Sequence, residues 1–156
     1  MKGKRPGIPA KAAQQSSHGP PLPKSNGTRV PIHTDQDIVA ARQRGRDLAQ
    51  QIGFSYSSLT LIATAISELA RNILLYAKRG ELSLGVVENN GYQGIAVVAR
   101  DNGPGIPDLE RAMEIGFSTS GSLGLGLPGV KRLMDEFEIV STAGGGTTVK
   151  AKKWKR

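Results

Sequence analysis

A chain of 156 residues and 16.5 kDa has room for one domain of ordinary size, so any function needing a second folded module must borrow it from a partner. The net charge of +8 sits at the ends: six bases and no acid fall in residues 1–29 and five bases and no acid in 150–156, so the span 30–149 is slightly acidic and nucleic-acid binding is not expected of the folded part. With no Cys and only His18 and His33, thiol nucleophiles, disulfides and His/Cys metal clusters are excluded, and a reducing cytoplasm is the expected compartment.

Residues 1–29 hold five of the nine prolines, four glycines and few large apolar side chains. Such a stretch cannot bury enough surface to offset the entropy of ordering it, and it reads as a disordered basic tail ahead of one domain over 30–156. Val30 and Ile32 alternate with polar neighbours, which suggests a short edge strand. Thr34-Asp-Gln-Asp37 has capping-box spacing and predicts a helix over 35–52 that stops at Gly53. From Ser58, Leu59, Ile62, Ala63, Ile66, Leu69, Ala70, Ile73 and Ala77 recur at three and four, predicting a long amphipathic helix to Arg79 capped by Gly80. Leu82, Leu84 and Val86, then Ile95, Val97 and Ala99, alternate on either side of Asn89-Asn-Gly91 and read as a β-hairpin. A short helix is expected over 127–136, and strands over 137–142 and 147–154 around Ala143-Gly-Gly-Gly146. No apolar run approaches the ~18 residues of a membrane span, and the polar start is unlike a signal peptide. Helices and hairpins without repeated βαβ units argue for an α+β two-layer sandwich, with helices on one face of a mixed, mainly antiparallel sheet.

Four stretches carry chemistry. On the long helix, taking Ile66 as zero, Glu68 and Asn72 fall at about 200° and 240°, opposite the core stripe. An isolated pair there reads as a solvated face, but Leu61, Ala65 and Leu75 share that side, and a helix apolar on both sides resembles a pocket floor. A carboxylate so placed can orient or deprotonate a hydroxyl, and an amide oxygen suits Mg²⁺. Asp101-Asn-Gly-Pro-Gly-Ile106 reads as a turn, or as a site where Gly103 and Gly105 let backbone approach a flat ligand while Asp101 accepts from adenine's amine; guanine would present an acceptor instead. The span 116–129 has five glycines. Its G-x-G-x-x-G match fails as a dinucleotide fingerprint, because no strand precedes it and no acid follows at the right distance. It leaves a mobile glycine- and hydroxyl-rich lid entering a helix at Leu127-Pro128, whose free N–H groups suit phosphate. Gly144-Gly-Gly-Thr147 is explained by a hairpin turn alone.

Taken in order, Glu-x-x-x-Asn, Asp-x-Gly-x-Gly-Ile, a lid with Gly-Leu-Gly-Leu, and Gly-Thr resemble the Bergerat ATP-binding fold of the GHKL, or histidine-kinase-like, group. Ser122 stands where that group's lid has glycine. Asp37-Ile-Val-Ala-Ala-Arg-Gln43, Ile66-Ser-Glu-Leu-Ala-Arg-Asn-Ile73, Gly103-Pro-Gly-Ile-Pro-Asp108, Gly116-Phe-Ser-Thr-Ser-Gly121 and Gly126-Leu-Pro-Gly-Val-Lys-Arg-Leu-Met-Asp-Glu-Phe137 are similar to the RsbT subfamily of bacterial serine/threonine switch kinases of partner-switching and stressosome systems.

That resemblance implies ATP and Mg²⁺ as cofactors, a STAS-domain protein as substrate, and a downstream phosphatase or other effector as a second partner, without a membrane. It implies that Glu68 is the general base, that Asn72 holds Mg²⁺, and that Asp101, Gly103, Gly105, Ile106 and Thr147 form the adenine site. Ser118, Thr119, Ser120, Gly121, Gly124, Leu125 and Gly126 would hold phosphates. Arg71 is open to phosphate or partner contact, or is a surface arginine; Lys131 and Arg132 read as helix surface. The alternative function is an anti-sigma factor that holds a sigma factor stoichiometrically. A sensor-kinase catalytic domain is disfavoured, since neither histidine lies on a predicted helix. Nucleic-acid binding through the basic ends would require residues 1–29 and show steep salt dependence.

Overall fold

The structure, a computed structural model, describes residues 27–114 and 126–156. The expected tail, up to residue 26, and most of the expected lid, 115–125, lie outside the described residues. Strand β1, Thr28–Ile32, buries Val30 and Ile32 on one face, as the alternation requires. Helix α1, Asp35–Gln51, starts at the expected cap: the Asp37 carboxylate accepts from the backbone N–H groups of His33 at 2.8 Å and Thr34 at 3.0 Å. Those bonds, His33's first and Thr34's second, hold the Asp37 carboxyl below its ordinary value of 3.8. A depressed carboxylate adds stability that is fully present above its ordinary pKa and is lost as pH falls through the lowered one. Asp37→Asn is therefore expected to lower the melting temperature at pH 7. Thermal scans should show the difference from wild type closing in acid, as pH falls through the lowered pKa.

Helix α2, Tyr56–Ala77, opens two residues before the expected Ser58, because Ser55 takes the cap position and its hydroxyl accepts the Ser58 N–H at 3.2 Å. It also ends earlier than expected. Lys78, not Gly80, adopts the left-handed conformation (φ 70°), and its N–H bonds the Leu74 carbonyl at 3.2 Å. Gly80 instead begins β2, Gly80–Asn89, where a side chain would collide with the Arg100 carbonyl and lie 2.8 Å from Ile73 Cγ2. By length and composition, α2 is apolar enough to cross a membrane (mean hydropathy 1.3), contrary to the reading of the sequence; 56% of that window is buried inside the protein, which accounts for its apolar character as a core helix.

The β2–β3 hairpin, with β3 at Tyr92–Asp101, turns at Asn90 and Gly91, both at positive φ (51° and 84°), as the Asn-Gly dipeptide predicts. A single turn of helix, α3 (Leu109–Ala112), is capped by Asp108, whose carboxylate accepts the Arg111 N–H at 3.1 Å; no helix is expected there from the sequence. Helix α4, Gly126–Leu133, stops three residues before the expected Glu136. The adjoining strand captures its end: Lys153 Nζ donates to the Leu133 carbonyl at 2.9 Å, and Asp135 N–H donates to the Lys152 carbonyl at 2.8 Å. Glu136 thus opens β4, Glu136–Thr142, which returns through a turn into β5, Gly146–Trp154.

The five strands form one sheet in the order β1-β2-β3-β5-β4, with every pairing antiparallel. Leu82, Leu84, Ile95, Val97, Ala99, Val149 and Ala151 of the sheet meet Leu59, Ile62, Ile66, Leu69 and Ile73 of α2 in one hydrophobic core. Helix α2 is the centre of the helical layer, packed between α1 and α4. Its C-terminal end, at Ala77, meets the loop that follows β3.

Candidate nucleotide site

The site begins where β3 leaves the sheet. Asp101 is its last residue and is paired directly with Thr147 of β5, which is in turn paired with Ser141 of β4. Directly paired residues share a face, so three polar side chains stand in one row across three strands. Asp101 Oδ1 accepts the Gly103 N–H at 2.9 Å, bending the chain back over the strand end and leaving Oδ2 without a partner among the described residues. The loop is then tied to the β4–β5 hairpin twice. Ile106 N–H donates to Ser141 Oγ at 2.8 Å, and Gly144 N–H donates to the Pro104 carbonyl at 2.9 Å. Between these ties Gly105 has φ 88°, and a side chain on it would lie 2.5 Å from the Thr142 carbonyl oxygen. Both conditions call for glycine. Ser141 is the functional candidate that the sequence reading did not single out, although the inward Phe137 and Ile139 put it on the inner face by period two.

The loop rests on the C-terminal end of α2: a side chain on Gly103 would touch Ala77 Cβ at 2.5 Å. From Ala77, at 1.5 Å rise per residue, Asn72 stands about 8 Å up the helix and Glu68 about 14 Å. Ala65 and Glu68 are buried on this side, Glu68 at 5% exposure, while Leu61 and Leu75 are partly exposed at its two ends. Glu68 Oε2 pairs with Arg71 Nη1 at 2.9 Å, so the carboxylate is fixed in direction and Oε1 has no partner among the described residues. Arg71, its side chain 40% exposed, engages Glu68 through Nη1 and makes no other hydrogen bond or ion pair with a described residue. Asn72 is half-buried, and its side-chain amide makes no hydrogen bond to a described residue. An unengaged amide oxygen one turn from a buried carboxylate fits a Mg²⁺ ion that keeps several waters and takes its other ligands from phosphates.

A cavity of about 500 Å³ adjoins the turn, lined by His33, Ala77, Arg79, Gly80, Glu81, Arg100 and Asp101 to Gly103. Glu68, Asn72 and Thr147 do not line it, so the row and the helix face, not this cavity, bring the expected residues together. Asp101, Gly103, Gly105, Ile106 and Thr147 meet at the sheet end, and Glu68 and Asn72 follow along α2. Gly126 opens α4, whose Leu127, Pro128, Gly129 and Val130 are buried and whose Lys131 and Arg132 are exposed, as expected of helix surface. Ser118, Thr119, Ser120, Gly121, Gly124 and Leu125 lie outside the described residues.

Residues 58–155 match the model of the histidine kinase-, DNA gyrase B-, and HSP90-like ATPase family. The chain is 57% identical over 127 residues to the serine/threonine-protein kinase RsbT of Bacillus subtilis (strain 168), covering 81% of this chain and 96% of that one. It is 31% identical over 129 residues to the anti-sigma F factor of Caldanaerobacter subterraneus subsp. tengcongensis, covering 79% of this chain and 89% of that one. Among solved structures, the mycobacterial sensor histidine kinase MprB is similar at a TM-score of 0.49 with 17% identity, over 83% of this chain and 99% of that one.

Proposed function

The chain belongs to the histidine kinase-, DNA gyrase B- and HSP90-like ATPase family, alongside RsbT, and from that premise we propose that it is a switch kinase that transfers phosphate from ATP to a serine or threonine of a STAS-domain antagonist or scaffold protein. The observation that carries this reading is the linear arrangement of the site, with the Asp101–Thr147 row at one end of α2 and the buried Glu68 about 14 Å along it. That is a length over which a nucleotide lying along the helix would present its base to Asp101 and its terminal phosphate near Glu68. Asp101, Gly103, Gly105, Ile106 and Thr147 would hold adenine, and Asn72 would hold Mg²⁺, which neutralises phosphate charge when bound. The loop residues Ser118 to Gly121, with Gly124 and Leu125, and Gly126 at the start of α4, would donate to the phosphates.

In the transfer step the substrate hydroxyl attacks the γ-phosphorus, its proton passes to the free oxygen of Glu68, and ADP leaves. The Arg71 pair holds the Glu68 carboxylate in a fixed direction, so orientation of the hydroxyl is as much its task as proton removal. The freed kinase would then bind and activate a downstream phosphatase or other effector. The basic residues 1–29 would act as a tail to the domain over 30–156, and the cytoplasm would be its compartment.

The likeness to anti-sigma F factors favours one second reading, a protein that holds a sigma factor stoichiometrically and releases it under control of the nucleotide site. Incubation with Mg-ATP and STAS-domain proteins encoded beside it, followed by phosphosite mapping, separates the two. Phosphate on a single Ser or Thr of one such protein is the expected result. Tight equimolar binding of a sigma factor, with no transfer to any STAS protein, would replace the first reading by the second.

A further inference from the structure

The row Asp101–Thr147–Ser141 holds one hydroxyl proton that no described residue accepts. Ser141 and Thr147 face each other at 2.9 Å between their hydroxyl oxygens, and Ser141 Oγ also accepts the Ile106 N–H at 2.8 Å. Two hydroxyls carry two protons. One lies between the two oxygens, and the other has no acceptor among the described residues. Thr147 is only 5% exposed, and a buried hydroxyl proton without an acceptor is unfavourable, so this one is poised for a partner that arrives in the cleft.

Which oxygen carries the spare proton follows from the direction of the chain. Because a backbone N–H enters at Ser141, bonds that run from Ile106 to Ser141 to Thr147 all point the same way, and each polarises the next. That order has Ser141 donate to Thr147 and leaves the spare proton on Thr147, the direct ladder partner of Asp101. The strand ends then offer an acceptor, Asp101 Oδ2, beside a donor, the Thr147 hydroxyl. Adenine presents the complement, an amine hydrogen beside a ring nitrogen that accepts. Guanine presents a carbonyl oxygen beside a ring N–H and is mismatched at both.

We propose that Ser141 is a positioning residue for nucleotide selection, which sets the Thr147 hydroxyl as a donor and fastens the 103–106 loop over the base. The proposal rests on the reading of this site as an ATP site. It is tested with the nearly isosteric pair Ser141→Thr and Ser141→Val, which differ from each other only by hydroxyl against methyl. Both residues suit a strand, so both variants are expected to fold. Titration calorimetry with Mg-ATP and Mg-GTP gives the selectivity directly, with no need for a protein substrate.

Ser141→Thr should keep the ATP-to-GTP affinity ratio within about twofold of wild type, while Ser141→Val should lose about five- to tenfold in ATP affinity with little change for GTP. A hydroxyl that merely held the hairpin together would lower both affinities alike, so an unchanged ratio in Ser141→Val overturns the proposal even if overall binding falls. Wild-type protein that binds no ATP would overturn the nucleotide-site reading itself, and this proposal with it. Wild-type protein that binds ATP, with Ser141→Val selecting equally well, would overturn this proposal alone.

Discussion

Asp101→Asn is expected to weaken Mg-ATP binding by about 1 to 3 kcal/mol, roughly five- to 150-fold, in a protein that still folds. The reason is the division of labour between the two carboxylate oxygens. Oδ1 takes the Gly103 N–H at 2.9 Å and shapes the turn, and Oδ2 is the acceptor left for adenine's amine. An asparagine has one acceptor for two tasks. If its oxygen stays with Gly103, its NH₂ meets the amine donor to donor; if it flips, the NH₂ meets the Gly103 N–H and the turn loses its bond. Guanine's carbonyl would welcome the first orientation, so the ATP-to-GTP ratio should narrow or invert. Calorimetric titration of both nucleotides checks this, with a thermal scan to confirm folding. Unchanged ATP affinity in the folded variant would remove Asp101 from the adenine site.

What the sequence discloses about this protein depends on how local the cause is. The Asn90-Gly91 turn, the Asp37 cap and the stripe of α2 are set by residues within a few positions of one another, and all three are present as expected. The ends of elements are set from farther away. Helix α4 stops at Leu133 because Lys153, twenty residues on, takes its carbonyl, and Gly80 is glycine because the Arg100 backbone crosses it. The same contrast holds within the site. The helical angles of Glu68 and Asn72 already suggested a pocket floor; Glu68 is buried on that helix face, although the cavity at the turn does not reach it. Its Arg71 partner sits three residues away at salt-bridge spacing, yet the sequence alone left it between a surface position and a phosphate or partner contact. Ser141 is inward-facing by parity, but its significance comes from Ile106, thirty-five residues earlier, and no local pattern carries that.

Glu68→Gln separates chemistry from binding, and the geometry says why the two should part. Glutamine fills the same space in a site that is 5% exposed and can still accept from Arg71, so packing is largely kept, although the ionic part of that pair is lost. Nucleotide binding should survive, because the residues proposed to hold the base lie at the strand ends, about 14 Å along α2 from residue 68, and Asn72, one turn away at about 6 Å, keeps the amide proposed to hold the metal. Phosphotransfer to a protein serine or threonine should fall by ~10²-fold or more if the carboxylate removes the hydroxyl proton in the transition state. Asn72→Ala is the internal control: removal of the proposed Mg²⁺ ligand should weaken Mg-nucleotide binding and transfer together. The measured quantity must be phosphate on the protein substrate, since a hydrolase that delivered phosphate to water would respond to both substitutions in the same way. A pH–rate profile adds a second readout, because loss of a general base removes its acid limb, whereas loss of a purely orienting group lowers the rate evenly across pH. If Glu68→Gln transfers phosphate at the wild-type rate, proton removal is not assigned to this residue, and alignment of the hydroxyl with charge neutralisation around the phosphates must account for the rate.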